Sequence, residues 1–235
     1  MNFHVLSIFP ENVYNGLYYS MVEKAVRNDI IHLNCVNIRD FSTTKHRETD
    51  DYPYGGGEGM IMKAPPIFHA YKALNLTTAH RVIFMSPQGR TFDQKMAVEL
   101  SHEKDLVFLC GHYEGVDERV IEEIVTDEVS IGDFVLTGGE LAAMVMIDAI
   151  TRLLPGVLCS EEAYKNESFF SGLLEYPQYT RPYEFNGRTV PDILLSGHHE
   201  NVAKWRKEQS LERTKAKRPD LYAAYMQEER NDIKK

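Results

Sequence analysis

Residues 3–9 (FHVLSIF) form a short apolar run between polar positions, the pattern of a strand buried on both faces. Helical spacing of apolar positions follows near residues 18–27, and a second strand pattern lies at 30–38. Pro65 and Pro66 open a helix that runs through Ala73, because proline is tolerated in a first helical turn. The sequence then predicts a strand over 81–85, a turn over 86–90, a helix over 93–103 and a strand over 105–110. A loop at 111–115, a short acidic helix at 117–125 and a short strand at 128–131 continue the alternation. A helix over 138–154 closes it. Alternating strands and helices from Phe3 to Leu154 predict an α/β fold with a mostly parallel sheet.

Three stretches break the rhythm. Residues 39–63 are polar and glycine-rich, too long for an ordinary connection, and are therefore functional or mobile. Residues 141–150 (LAAMVMIDAI) are apolar nearly all round, so that helix must be covered on every side. A dimer interface explains this better than a core position alone. After Pro155 the periodicity is lost, residues 160–171 are polar and acidic, and helical composition returns from Trp205. The expected organisation is an α/β domain over 1–160, a linker or lid over 161–175 and a small all-helical domain over 176–235.

The chain has 235 residues, 43% of them hydrophobic, enough to bury a real core. Its first twelve residues lack a basic segment followed by a long apolar run, and no stretch approaches about 18 apolar residues. Cys35, Cys110 and Cys159 are too few and too scattered for a disulfide framework or a zinc site. Together these predict a cytoplasmic protein with reduced thiols and no membrane partner. The net charge of −9 argues against a surface that grips nucleic acid everywhere, but charge is unevenly spread. From Gly111 to Glu167 there are 13 Asp/Glu against 3 Lys/Arg, and from Glu200 to Arg218 there are 7 Lys/Arg against 3 Glu. Either run also fits a plain solvated helix face.

Several familiar templates are absent. There is no G-x-G-x-x-G after a strand, no phosphate-binding GxxxxGK[ST], no G-x-S-x-G and no HExxH. His198 and His199 are adjacent and do not face one metal in a regular element. What remains are three turns, each after a predicted strand: 86–89 (SPQG), 111–115 (GHYEG) and 131–140 (IGDFVLTGGE). Loops beyond the carboxyl ends of parallel strands converge on one crevice. Glycines there let backbone approach a flat ligand, although each alone could merely make a tight turn. A further loop at 50–60 (DDYPYGGGEGM) has four glycines in five residues, with Lys45, His46 and Arg47 upstream. It suits a large flat or phosphorylated surface, or is simply flexible.

At these residues the sequence resembles the bacterial tRNA (guanine-N1)-methyltransferase family (TrmD) of the SPOUT, or trefoil-knot, superfamily. The matching stretches are 1–10, 51–60 (DYPYGGGEGM), 109–119 (LCGHYEGVDER), 130–140 (SIGDFVLTGGE), 168–182 (SFFSGLLEYPQYTRP) and 195–219, nearly the whole chain. The resemblance implies a deep trefoil knot at the end of the α/β domain, although general topology rules make knots rare. It implies a homodimer whose active sites draw on both subunits, and S-adenosylmethionine bound bent within the knot. Motif by motif, it implies a donor pocket lined by Ser86, Pro87 and Gly89, by Gly111 and Tyr113, and by Ser130, Ile131 and Gly132. Asp133, Phe134, Val135 and Leu136, then Gly138 and Gly139, complete that lining. Glu114 is expected near the donor's amino group or a Mg²⁺ ion, with Glu167 as a second metal contact.

The implied reaction methylates N1 of the guanine immediately 3′ of the tRNA anticodon, when another guanine precedes it. It needs a base for the N1 proton and a cation for charge developing on O6. The family's base is an aspartate just before a Ser-Phe pair. Here that position is Glu167, one methylene longer. Arg152 matches the arginine that stabilises the reacting guanine, and also fits a cation meeting a helix C-terminus. Arg206, Lys207, Arg213 and Lys215 are expected to contact tRNA phosphates, with no role for DNA. The family's Ser-Gly-Asn-His reads Ser196-Gly197-His198-His199 here. A knotted enzyme acting on a ribose hydroxyl, or a catalytically silent RNA-binding relative, remains an alternative; a GGG-loop nucleotide hydrolase would lack its lysine and metal motif.

Overall fold

In the computed structural model every residue is described except Thr78, Glu161, Asn166 and 233–235, together with the side chains of Glu162, Ala163 and Asp232. Two compact units divide the chain, Met1–Ser160 and Glu161–Lys235.

In the first unit, β1 (Asn2–Ser7) is followed by α1 (Pro10–Leu17), α2 (Ser20–Arg27) and β2 (His32–Asn37). Two-residue strands β3 (Asp50–Asp51) and β4 (Ile61–Met62) pair antiparallel across the glycine-rich stretch. Then come α3 (Ala64–Ala73), β5 (Arg81–Thr91), α4 (Gln94–Leu100), β6 (Asp105–Leu109), α5 (Glu118–Ile124), β7 (Asp127–Ser130) and α6 (Glu140–Thr151). The five long strands form one sheet in the order β2-β1-β6-β5-β7, with every pairing parallel. The expected α/β architecture with a parallel sheet is therefore present. Every residue of central strand β6 (DLVFL) is buried, as a strand covered on both faces requires. Local chemistry sets several boundaries. Asp93 caps α4 by accepting from the Met96 N–H at 2.8 Å, and Asp117 caps α5 by accepting from the Arg119 N–H at 3.0 Å.

Three elements differ from the sequence reading. Helix α1 was not expected, because PENVYNGL is polar and carries a glycine. It is held by packing instead: Val13 and Leu17 are buried, and a Cβ on Gly16 would lie 2.6 Å from the Met144 sulfur of α6. The turn expected at 86–90 lies inside β5, where the register against β7 shifts between Met85 and Arg90 and pairing resumes at Arg90 and Thr91. Helix α6 is shorter than 138–154, and within the single chain one side of it is left open. Ala142, Ala143, Met146, Ile147 and Ile150 are buried, while Leu141 and Val145 are half exposed.

In the second unit, α7 (Glu162–Lys165) precedes a small antiparallel pair, β8 (Glu184–Phe185) and β9 (Arg188–Thr189), then α8 (His199–Lys217) and α9 (Pro219–Asp232). The hairpin means that this part is not wholly helical, as had been expected. The expected linker includes Glu161 and Asn166, which lie outside the described residues. From Ser168 onward the segment is bonded into the unit: the Leu174 N–H donates to Thr214 Oγ1 at 2.8 Å and the Glu175 N–H to Ser168 Oγ at 3.0 Å. Among the described residues, no helix is long and apolar enough to cross a membrane.

Candidate active site

Strands β5, β6 and β7 end side by side, so the chain that leaves each one meets its neighbours at the carboxyl edge of the sheet. The residues after β6 and β7, with the bulged part of β5, enclose a pocket of about 190 Å³. Its lining includes Ser86 and Pro87 from β5, Gly111, Tyr113 and Glu114 after β6, and Ser130, Ile131 and Gly132 around the end of β7. Phe134, Val135, Leu136, Gly138 and Gly139 from the expected set also line it. Phe134 and Val135 are strongly exposed at 54% and 83%, apolar groups without a cover.

Two close approaches explain why glycines stand where they do. A Cβ on Gly139 would sit 2.8 Å from Cys110 Cα and 3.1 Å from Met85 Cβ, so the chain entering α6 packs against the residue after β6 and against β5 with no room for a side chain. The Gly139 N–H donates to the Gly111 carbonyl at 3.0 Å, which ties the two loops together. A Cβ on Gly89 would come within 2.3 Å of the Glu128 backbone, so this glycine serves the bulge in β5 and the contact with β7.

Beneath the pocket lies a buried polar cluster. Glu140, at the first turn of α6 and 7% exposed, accepts from Ser7 Oγ at 2.5 Å. His112 Nε2 lies 2.8 Å from both Glu140 oxygens, so its proton faces the carboxylate. Ser7 Oγ in turn accepts from the Phe9 N–H at 2.8 Å. One carboxylate thus joins the end of β1, the loop after β6 and the start of α6. A charged group so buried is retained only where its partners satisfy it. Gly138 bridges to His112, and a Cβ there would meet the imidazole at 2.4 Å. Nearby Cys110 is fully buried, and burial first, the Glu140 charge second, push its thiol well above the usual range. It remains a neutral packing group.

The glycine-rich stretch belongs to the same wall. The Glu114 N–H donates to the Met60 carbonyl at 3.0 Å and the Met62 N–H to the Gly115 carbonyl at 2.9 Å. Gly59 abuts the Glu114 side chain. Tyr52 and Tyr54 in this loop are 79% and 100% exposed.

Gly89 and Asp133 fall outside the pocket lining. Arg152 is the C-cap residue of α6, its N–H donating to the Asp148 carbonyl at 3.3 Å, and it belongs to the first unit. Glu167 belongs to the second unit, half-buried just after α7, with its N–H donating to the Tyr164 carbonyl at 3.2 Å. Among the described residues no group of three or more His, Cys, Asp or Glu side chains is placed to hold a metal ion. The expected Mg²⁺ site at Glu114 and Glu167 therefore has no donor set of that kind to support it. Sequence reasoning missed Phe84, Met85, Gly115, Val129, Thr137 and Ala142 in the lining, and the Ser7–Glu140–His112 cluster beneath it. His112 stood in plain view between Gly111 and Tyr113, and Glu140 directly after two glycines. Ser7 carried no signal, because its partner lies 133 residues away.

The four expected phosphate contacts on α8 are engaged within the second unit. The Arg206 guanidinium carbon lies over the Tyr176 ring, 4.8 Å from its centroid, and Lys207 donates to Tyr225 Oη at 2.7 Å. Arg213 reaches the Glu175 carbonyl at 3.4 Å, and Lys215 lies 6.0 Å over the Tyr222 ring. All of these partners are neutral, so the positive charge is kept.

The profile of the family described as tRNA (Guanine-1)-methyltransferase TrmD matches residues 1–224. A tRNA (guanine-N(1)-)-methyltransferase of Lachnospira eligens is 54% identical over 236 residues, covering 100% of both chains. The protein of the same name from Ruminiclostridium cellulolyticum is 55% identical, covering 94% of this chain and 96% of its own. That of Staphylococcus carnosus is also 55% identical, covering 96% and 92%. With nearly the whole length matched, and with three strand-end loops meeting at one pocket, the chain belongs to the tRNA (guanine-1)-methyltransferase family.

Proposed function

We propose that this protein transfers a methyl group from S-adenosylmethionine to N1 of guanine in tRNA, at the guanine immediately 3′ of the anticodon. The observation that carries the reading is the pocket at the carboxyl edge of β5, β6 and β7, whose glycine-lined backbone suits a flat adenine ring. Its enclosed volume of about 190 Å³ is below the usual range for drug-sized ligands, which favours a bent donor with part of it outside the cavity. The packing of Gly139 on both Cys110 and Met85, at the end of the long loop that follows β7, supports reading a trefoil knot here.

S-adenosylmethionine supplies an electrophilic methyl group on a sulfonium. Guanine N1 carries a proton at neutral pH and is a poor nucleophile until that proton leaves. Glu167 is the base that takes it, leaving the N1 electron pair free for the methyl group that the bound donor would supply. Arg152 holds the negative charge that develops on O6. A carboxylate one methylene longer than aspartate remains a competent base. Its placement over the guanine comes with tRNA, when residues 161–175 act as a lid that excludes water. The exposed Leu141 and Val145 on α6 are the apolar surface of a homodimer. The basic residues of α8 position tRNA through its phosphates.

The test uses labelled S-adenosylmethionine and tRNA transcripts that differ only at the base after the anticodon. Transfer occurs with guanine and fails with the other three bases. No transfer, or transfer indifferent to that base, overturns the function. Glu167→Gln lowers the single-turnover rate by about a hundredfold or more, with donor binding retained, and an unchanged rate removes Glu167 from the mechanism.

A further inference from the structure

The second unit contains a groove that no step of the proposed reaction uses. It encloses about 730 Å³ between residues 176–195 and the first half of α8. That volume lies within the range of small-ligand sites. Tyr176, Tyr179 and Tyr183 supply its walls, and Leu194 and Val202 supply apolar surface between them. Tyr179 and Tyr183 are 49% and 48% exposed, so their rings present free faces. The Tyr183 ring is also fixed in place: its hydroxyl donates to Asp192 at 3.1 Å, and its carbonyl accepts from the Val190 N–H at 3.0 Å across the β8–β9 hairpin.

Two arginines line the same groove, Arg181 and Arg206. Among the described residues neither has a carboxylate within ion-pair distance, in contrast to Arg218, which is paired with Asp220. Arg206 instead lies over the Tyr176 ring, its guanidinium carbon 4.8 Å from the centroid, so the pair joins an aromatic face to a positive charge. Rigid aromatic faces, an apolar floor and unneutralised guanidinium groups suit one class of occupant. A base stacks on tyrosine regardless of its identity, and the phosphate of the same nucleotide meets the arginines. A free phosphate would leave the tyrosines unused, and an apolar peptide would bury two arginines without partners, a costly arrangement.

We propose that this groove binds one unpaired nucleotide of the tRNA, with its base stacked on Tyr179 or Tyr183 and its phosphate held by Arg181 and Arg206. The proposal rests on the reading of tRNA as the substrate. It assigns the second unit a specific holding site beyond general attraction for the phosphate backbone.

The test measures binding of a labelled tRNA transcript to the full-length protein across a salt series. Wild-type methyl transfer, oligomeric mass by light scattering and donor affinity are measured in parallel. Tyr179→Ala and Tyr183→Ala each weaken tRNA binding about five- to a hundredfold. They leave the salt dependence, the mass and the donor affinity unchanged, whereas Tyr179→Phe binds like wild type. Arg206→Ala weakens binding and lowers the salt slope by about one. Should Tyr179→Ala fail to fold, photocrosslinking of a 4-thiouridine-containing transcript to the wild-type protein takes its place. Adducts within residues 176–183 support the groove, and adducts confined to other segments overturn it. The proposal also falls if both tyrosine variants bind tRNA like wild type. It falls if they change the oligomeric mass, which would make the groove a contact between two copies of the chain. Failure of the wild-type protein to methylate tRNA would instead defeat the function on which the proposal stands.

Discussion

The two units are built on different physical terms. Residues 1–160 contain nearly all of the buried apolar side chains, among them Phe3, Phe108, Ile83 and Leu109 at 0% exposure. In the second unit Leu173 is the one buried hydrophobic among the described residues, accompanied by buried Ser210 and Thr214. Charge divides as unevenly: 13 Lys/Arg against 22 Asp/Glu in residues 1–160, and 13 against 13 in residues 161–235. The first unit therefore holds its pocket by its own packing, while the second has little core to hold it and more charge balance to offer an anionic partner. The contrast teaches that the pocket of the first unit rests on a buried apolar core, whereas the second unit rests on few buried groups and would gain stability from any partner that it binds. The single tryptophan, Trp205, lies in the second unit, so its fluorescence follows that unit, while far-UV circular dichroism follows both.

The largest effect expected is that of Glu140→Ala. It strips a buried acceptor from His112 and Ser7 and destabilises the first unit by about 3–5 kcal/mol. The circular dichroism transition moves to lower temperature while the Trp205 transition stays nearly in place. Simultaneous movement of both would show that the two units unfold as one body, ending the comparison. Gly139→Ala comes next. Overpacking against Cys110 and Met85 costs about 1–3 kcal/mol, and titration calorimetry should show donor affinity falling about tenfold or more. Unchanged affinity would separate the chain crossing from the pocket.

A change in the second unit sharpens the contrast from the other side. Thr214→Val removes the hydroxyl that accepts from Leu174 and donates to Ser210, leaving a backbone N–H without its partner. The expected cost is about 1–3 kcal/mol, read as an earlier Trp205 transition with the first unit's transition unmoved. The smallest effect is that of pH. Arg81 holds Asp127 below the usual carboxylate range, so the contribution of Asp127 is present above about pH 3.9 and is lost as pH falls further. Burial lowers the pKa of His4, so its protonation opposes folding as pH drops below about 6.5. The first unit should therefore lose stability progressively from near neutral into acid. A flat melting profile between pH 7 and pH 3 would contradict both assignments.

The sheet was legible in the sequence because its strands are short, apolar and separated by strong turn signals, as with DLVFLC and the GHYEG that follows. The pocket was legible because glycines cluster at strand ends. What escaped depends on distant partners. Helix α1 forms because Gly16 meets Met144, not because its own sequence favours a helix. The bulge at 86–90 exists because Gly89 allows β5 to press on the Glu128 backbone. The hairpin at 184–189 is too short to leave a periodic pattern. The motifs that line the pocket are local and therefore readable, whereas Arg152 and Glu167 fall in different units and no local pattern relates them.

The hydrogen bond from Ser7 to Glu140 also sets a timetable for synthesis. A ribosome adds roughly 5–20 residues per second, so the 133 residues between these partners take about 7–27 s to make. Throughout that interval β1 has been made but its terminal serine lacks the carboxylate that will hold it. The pocket cannot close before α6 has emerged, and half-made chains expose the edges of a parallel sheet, a slow topology to complete. Agents that stall translation before residue 140 would thus leave fragments without a closed pocket, even though most of the strands had already been made.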